Sequence, residues 1–178
     1  MSEDRDEAET VWQGKFIQVR KQGRWEYASR TRGVSAAVIL ALDGDEVLLV
    51  EQFRVPLGRN CLELPAGLVG DEEEGEEVGQ AAIRELEEET GYRARKMVDL
   101  GRFHASPGMS SEGFTLLRAE GLEQTGEGGG VGGEDIIVHR VKLAEVPDFV
   151  AAKRGEGCAI DVKLLLLLAS GMIGDSRS

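Results

Sequence analysis

The segment Arg84-Glu85-Leu86-Glu87-Glu88-Glu89-Thr90-Gly91, near the end of a stretch running from Gly70 to Tyr92, constrains this chain more than any other. Its carboxylates recur at helical spacing, where residues three and four apart share a face. Glu85, Glu88 and Glu89 then project side by side, while Ile83 and Leu86 turn elsewhere. Like charges on one stripe repel by about 0.2–0.5 kcal/mol per pair, so the stripe needs either free solvation or a cation. A plain exposed acidic helix satisfies the first condition. Hard divalent cations satisfy the second, because they take carboxylate oxygens, and magnesium is commonly shared between one or two carboxylates and a substrate phosphate.

The charge distribution supports a local rather than a global reading. The net charge is −12, yet residues 71–89 hold ten acids against one Arg and residues 3–9 hold five against one, so the remainder sums to +1. A chain without a basic stripe has little with which to displace counterions from a nucleic acid backbone, and no nucleic acid partner is expected. Its 178 residues, 41% of them hydrophobic, suffice for one core. Cys61 and Cys158 stand in no metal-ligand spacing and read as reduced structural thiols. The longest apolar run, from Leu164 toward Ser170, falls far short of the ~18 residues a membrane span requires. The polar start Met1-Ser-Glu-Asp-Arg-Asp-Glu does not resemble a leader. A cytoplasmic setting without membrane contact is expected.

Residues 1–9 read as a disordered acidic tail. Residues 10–32 form a β unit, with runs at Val11–Val19 and Arg24–Ala28 folded about Gln22-Gly23 into a hairpin. A hairpin alone does not bury Trp12 and Trp25, so it must pack on the rest of the chain or on another subunit. In the main unit, 33–178, the apolar runs Val34–Leu42 and Val47–Val50 flank Asp43-Gly44-Asp45 as a central hairpin. A loop follows with Arg54 and Arg59, whose guanidinium groups match phosphate geometry. Leu62-Glu63-Leu64 reads as a short strand leading to Pro65-Ala66-Gly67, then a helix from Glu76 to Thr90 ended by Gly91. Strands are expected at 94–103, 114–119 and 137–141, and helices at 144–154 and 160–170. Gly121 to Gly133 carries seven glycines but no phosphate-cradle pattern, and reads as a mobile flap.

Gly70, Glu76, Arg84, Glu85, Leu86, Glu88, Glu89, Gly91 and Tyr92 fall on G-x5-E-x7-R-E-U-x-E-E-x-G-U, with U apolar. This resembles the signature of the Nudix hydrolases, which cleave nucleoside diphosphates linked to another group. Gly67 is the alternative first glycine, in which case 69–74 carries an insertion of three residues. Pro107, 16 residues past Gly91 in Ser-Pro-Gly-x-Ser-x-Glu, is similar to the mark of the ADP-ribose pyrophosphatase subgroup. The resemblance implies an α/β fold: the Nudix α/β/α sandwich with a mixed sheet, plus the N-terminal β-hairpin as an accessory unit that exchanges across a homodimer. It implies Mg²⁺, with Mn²⁺ as a substitute, held by Glu85, Glu88 and Glu89 with the Ala66 carbonyl, Glu88 being counted among the catalytic groups too. Glu134, with Glu112 in reserve, is the implied proton acceptor, although some relatives carry it where this chain has Gly132. Arg54, with Arg32 and Arg59, would hold the distal groups of a nucleotide sugar, and Pro107 would wall the nucleotide pocket. The implied reaction converts ADP-ribose or a related ADP-sugar to AMP and a sugar phosphate. GDP-mannose or an oxidised nucleoside triphosphate is the alternative substrate, and a catalytically silent nucleotide-sensing module the alternative role.

Overall fold

A computed structural model describes residues 7–31, 35–69 and 77–174. Gly70, Glu76, Arg32, all but Val69 of the expected insertion within 69–74, and most of the tail at 1–9 lie outside the described residues. Strand β4 (Ser35–Asp43) explains the layering. Its successive side chains alternate between faces, and both sets are apolar. Ala37, Ile39 and Ala41 join one core with helix α1 (Val78–Thr90), while Val38 and Leu40 join a second with helix α2 (Val146–Gly155). A strand buried on both faces requires a layer on each side, which is an α/β/α sandwich.

The large sheet is mixed. Its order is β11-β6-β5-β4-β9-β8, where β5 is Glu46–Arg54, β6 Arg59–Glu63, β8 Tyr92–Phe103, β9 Phe114–Gln124 and β11 Ala159–Ile160. β4 runs parallel to β9 and β11 parallel to β6, while the other pairs are antiparallel. β7 (Ala66–Val69) pairs with β4, and β10 (Ile137–Lys142) pairs with β5. β4 and β5 pair only beside their turn, at Leu42–Val47 and Asp43–Glu46. Beyond it they part, because β7 takes the place next to the start of β4 and β6 and β10 flank β5. The diverged ends leave room for a cavity.

The N-terminal unit has three strands rather than two: β1 (Glu9–Gln13), β2 (Ile17–Gln22) and β3 (Trp25–Arg30), in an antiparallel sheet. Gly14, whose N–H donates to the Ile17 carbonyl at 2.8 Å, turns the chain within what reads as one continuous run. None of these strands contributes to either core, and Trp12, Phe16 and Trp25 are 55%, 64% and 47% exposed.

Two further boundaries differ from expectation. Ala159 and Ile160 pair with Cys61 and Leu62, so sheet hydrogen bonding claims the start of the expected helix at 160–170. Asp161 then accepts from the Lys163 N–H at 2.7 Å, and helix α3 occupies Leu165–Gly174. β9 extends to Gln124 and takes in the first residues of the glycine-rich segment. Among the described residues no helix is long and apolar enough to cross a membrane.

Candidate active site

Helix α1 has two faces. Ala81, Ala82 and Leu86 are fully buried against the sheet. This orients Glu85, Glu88 and Glu89 toward a cavity of about 580 Å³, within the usual range for small-molecule sites. Ala36 and Val38 from β4, Gln52 and Arg54 from β5, and Ala66, Gly67 and Leu68 from β7 complete its inner walls. A Cβ on Gly67 would lie 2.1 Å from the Glu85 carboxyl carbon, so this glycine lets Glu85 rest directly on the β7 backbone.

The end of α1 is held by the segment that reads as a mobile flap from sequence. Gly91, in the left-handed region at φ 73°, closes the helix by donating to the Glu87 carbonyl at 2.8 Å. The carbonyls of Glu88 and Glu89 have no helical partner beyond that point. They accept from the N–H groups of Gly130 and Gly129 at 3.0 and 2.9 Å. Thr125 and Gly126 donate to the Gly91 carbonyl at 2.8 and 3.1 Å. A Cβ on Gly128 would meet the Thr90 carbonyl carbon at 2.4 Å, and one on Gly91 the Gly126 oxygen at 2.4 Å. The glycines are therefore a docking surface rather than a free flap: unpaired helix carbonyls need donors, and only a backbone without side chains approaches closely enough. The exposed turn that follows carries Glu134 into the cavity wall, its Oε2 accepting from the Val131 N–H at 3.2 Å.

Glu89 is 6% exposed and accepts from the Ala66 N–H at 3.0 Å. Burial pushes its carboxyl up to about 8; the Ala66 bond and Arg54 oppose this, and the charges of Glu85 and Glu134 reinforce it. Arg84 bridges the other two motif carboxylates, at 3.1 Å to Glu85 and 3.3 Å to Glu88, which is the clamping role its position implies. Arg54 forks onto Glu63 at 2.5 and 2.9 Å. Glu112 pairs with Arg30 from β3 at 2.6 Å. Lys163 lines the cavity and pairs with Asp161 at 2.7 Å.

The structure thus brings Ala66, Glu85, Glu88, Glu89, Glu112, Glu134 and Arg54 to one cavity. It does not bring Arg59 or Pro107 there. Arg59 is exposed at the start of β6, opposite Arg54 in register. Pro107 lines a separate hollow of about 400 Å³ with Gln22, Trp25 and Tyr27. Its loop is bound to β3 instead, with the Ala28 N–H donating to Met109 and the Ser111 N–H to Ala28, each at 3.0 Å. Glu87, on the exposed side of α1, pairs with Arg93 at 2.5 Å. Sequence reasoning missed Glu63, Arg30, Gln52 and Lys163 as cavity residues. Glu63 had a usable signal, a charge inside the apolar run Cys61-Leu62-Glu63-Leu64, which demands a buried partner. Arg30 had none, since only tertiary packing places it.

Six carboxylates and four cationic side chains line the cavity. Among the described residues no three acidic, His or Cys side chains are closed to metal-chelating distance. The donor chemistry nonetheless fits a hard divalent ion: the α1 carboxylates are oxygen donors, carboxylates outnumber cations, and Glu89 is poorly compensated where it stands.

An acidic helix buttressed by glycine backbone, facing an arginine-bearing cavity in an α/β/α sandwich, gathers carboxylates and guanidinium groups at one site. Residues 31–155 match the NUDIX domain model, and the chain belongs to the Nudix family, whose hydrolases generally use divalent metal. It is 43% identical to the ADP-ribose pyrophosphatase of Bacillus subtilis over 88 residues, 49% of this chain and 46% of that one. It is 34% identical to the ADP-sugar pyrophosphatase of Mus musculus over 121 residues, 58% of this chain and 54% of that one. The match thus spans about half the length of each of these relatives. A crystal structure of an ADP compounds hydrolase superposes with a TM-score of 0.69 at 23% identity, covering 97% of this chain and 95% of that one, which shows the shared fold.

Proposed function

We propose that this chain is a metal-dependent pyrophosphohydrolase that converts ADP-ribose, or a related ADP-sugar, and water to AMP and a sugar phosphate, which for ADP-ribose is ribose 5-phosphate. The observation that carries it is the placement of Glu85, Glu88 and Glu89 on one cavity wall with Arg54 also lining the cavity. The names of the relatives supply the substrate class. Glu85, Glu88, Glu89 and the Ala66 carbonyl would hold Mg²⁺, with Mn²⁺ as a substitute. Bound there, the ion supplies positive charge to the diphosphate and acidifies the attacking water.

The chain's own groups do the rest. Arg54 and Arg30 offer guanidinium donors to the substrate's anionic groups. Arg84 bridges Glu85 and Glu88 and orients them. Glu134 takes the proton from water as one phosphorus is attacked and the bridging oxygen leaves. Glu112 is the weaker candidate because its carboxylate is committed to Arg30, whereas Glu134 accepts a single backbone N–H at 3.2 Å.

The three-stranded accessory sheet, Glu9 to Arg30, would be covered by a second copy of the chain. Its exposed Trp12, Phe16 and Trp25 support this, and a solution mass of one chain by light scattering removes it. A reducing cytoplasm suits the buried free thiols; burial pushes Cys61 up to about 12, and Cys158 is raised for the same reason.

The deciding experiment is mononucleotide release from ADP-ribose, other ADP-sugars, GDP-mannose and 8-oxo-dGTP, with Mg²⁺ and with chelator. Metal-dependent cleavage favouring ADP-ribose is the expected result. A preference for another substrate keeps the chemistry and discards the specificity. Nucleotide binding without cleavage indicates a sensing module.

A further inference from the structure

We propose that Glu63 is a positioning residue for substrate, acting by holding Arg54 in one orientation within the cavity. The inference rests on the pyrophosphatase reading above. Glu63 is 6% exposed at the end of β6, between the fully buried Leu62 and Leu64. A carboxylate there is costly to desolvate unless it is both paired and hydrogen-bonded. Its cross-strand neighbour is Val50, and Arg54 lies four residues further along β5, opposite Arg59. The Arg54 side chain therefore runs back along the ladder to reach Glu63. It arrives as a fork, Nε to Oε1 at 2.5 Å and Nη2 to Oε2 at 2.9 Å.

A guanidinium carries five N–H donors. Glu63 occupies the Nε/Nη2 edge, leaving the Nη1/Nη2 edge without a further partner among the described residues. That edge matches two oxygens of a phosphate, and it is rigid because the first edge is fixed. Glu89 is another carboxylate whose charge acts on Arg54. Freed from Glu63, the Arg54 guanidinium would lose its fixed orientation, and the anion-binding edge would no longer be presented to substrate.

The test compares wild type with Glu63→Gln, which keeps the shape and removes the charge, and Arg54→Lys, which keeps a cation and removes the fork. The probe is the non-hydrolysable α,β-methylene analogue of ADP-ribose with Mg²⁺, titrated calorimetrically, beside kcat and KM for ADP-ribose and a thermal melt of each variant. Each substitution is expected to weaken analogue binding and raise KM tenfold or more with kcat within threefold. In an Arg54→Lys background, Glu63→Gln should change affinity by less than twofold, since it acts only through Arg54.

Wild-type affinity in either folded variant overturns the inference, as do additive losses in the double variant, which would mean that Glu63 touches substrate itself. If Glu63→Gln does not fold, Arg54→Lys alone decides, because the fork predicts its loss whatever becomes of Glu63. Wild type that neither binds the analogue nor cleaves any ADP-sugar defeats the function reading, and this inference with it. Wild type that binds and cleaves beside an unaffected Glu63→Gln defeats the inference alone.

Discussion

Glu51 and Glu89 are equally buried, each 6% exposed, and their carboxyl groups are driven in opposite directions. Around Glu51, desolvation acts upward, but hydrogen bonds from Asn60, Lys153 and His139 and the charge of Lys153 outweigh it, bringing the group down to about 2. The contacts are complete: Asn60 Nδ2 at 2.9 Å, His139 Nε2 at 2.9 Å and Lys153 Nζ at 3.0 Å. Glu89 has one backbone N–H and shares its surroundings with Glu85 and Glu134, and it is pushed up to about 8. Burial alone does not set the character of a carboxylate. One whose requirements are met within the fold holds β5, β6, β10 and α2 together. One left short of positive charge is equipped to receive it from a ligand.

The sharpest way to break this contrast is Glu89→Gln. If Glu89 belongs to the metal-binding wall, mononucleotide release from the preferred substrate should fall at least 10³-fold, about 4 kcal/mol of transition-state stabilisation. The fold should not suffer, because burial already favours a neutral carboxyl there, and glutamine keeps an oxygen for the Ala66 N–H. The melting temperature should therefore hold or rise. Magnesium should raise it for wild type, by about 2.7 kcal/mol of stability at a hundredfold excess over Kd, and not for the variant. Full magnesium-dependent turnover in Glu89→Gln ends the assignment of this carboxylate to metal binding.

The two sites were unequally visible in the sequence, for a physical reason. The α1 cluster was legible because its residues are three and four apart and one helix brings them together, as it does Gly91 at the cap. The central hairpin was legible because its apolar strands flank a Gly turn, with Gly44 in the left-handed region. The Glu51 cluster was invisible. Its members at 51, 60, 139 and 153 come from separate elements, and no local pattern relates them. The third N-terminal strand was missed because Gly14 breaks a run that alternates on both sides of it. The glycine-rich segment shows a subtler failure. Its composition reads as a mobile flap, but the glycines give room to a helix end, and only tertiary structure places Gly128 against Thr90.

Glu51 gives the smaller and more discriminating prediction. Glu51→Gln should cost about 2 kcal/mol at neutral pH, the scale of hydrogen bonds to a charged group, measured by urea unfolding. Activity per folded molecule should not change, since Glu51 does not line the cavity. The acid limb then separates charge from shape. The folded carboxyl lies at about 2, below its ordinary value of 4.5, so its stabilisation is complete above about pH 4.5 and is lost as pH falls toward 2. The glutamine variant has no such group to titrate, so the stability difference should narrow across that window and nearly close at its lower end. A difference that stayed constant from pH 7 to pH 2 would mean that packing, rather than the ionised Glu51 with Lys153, His139 and Asn60 around it, holds this corner of the fold. The contrast with Glu89 would then rest on one site instead of two.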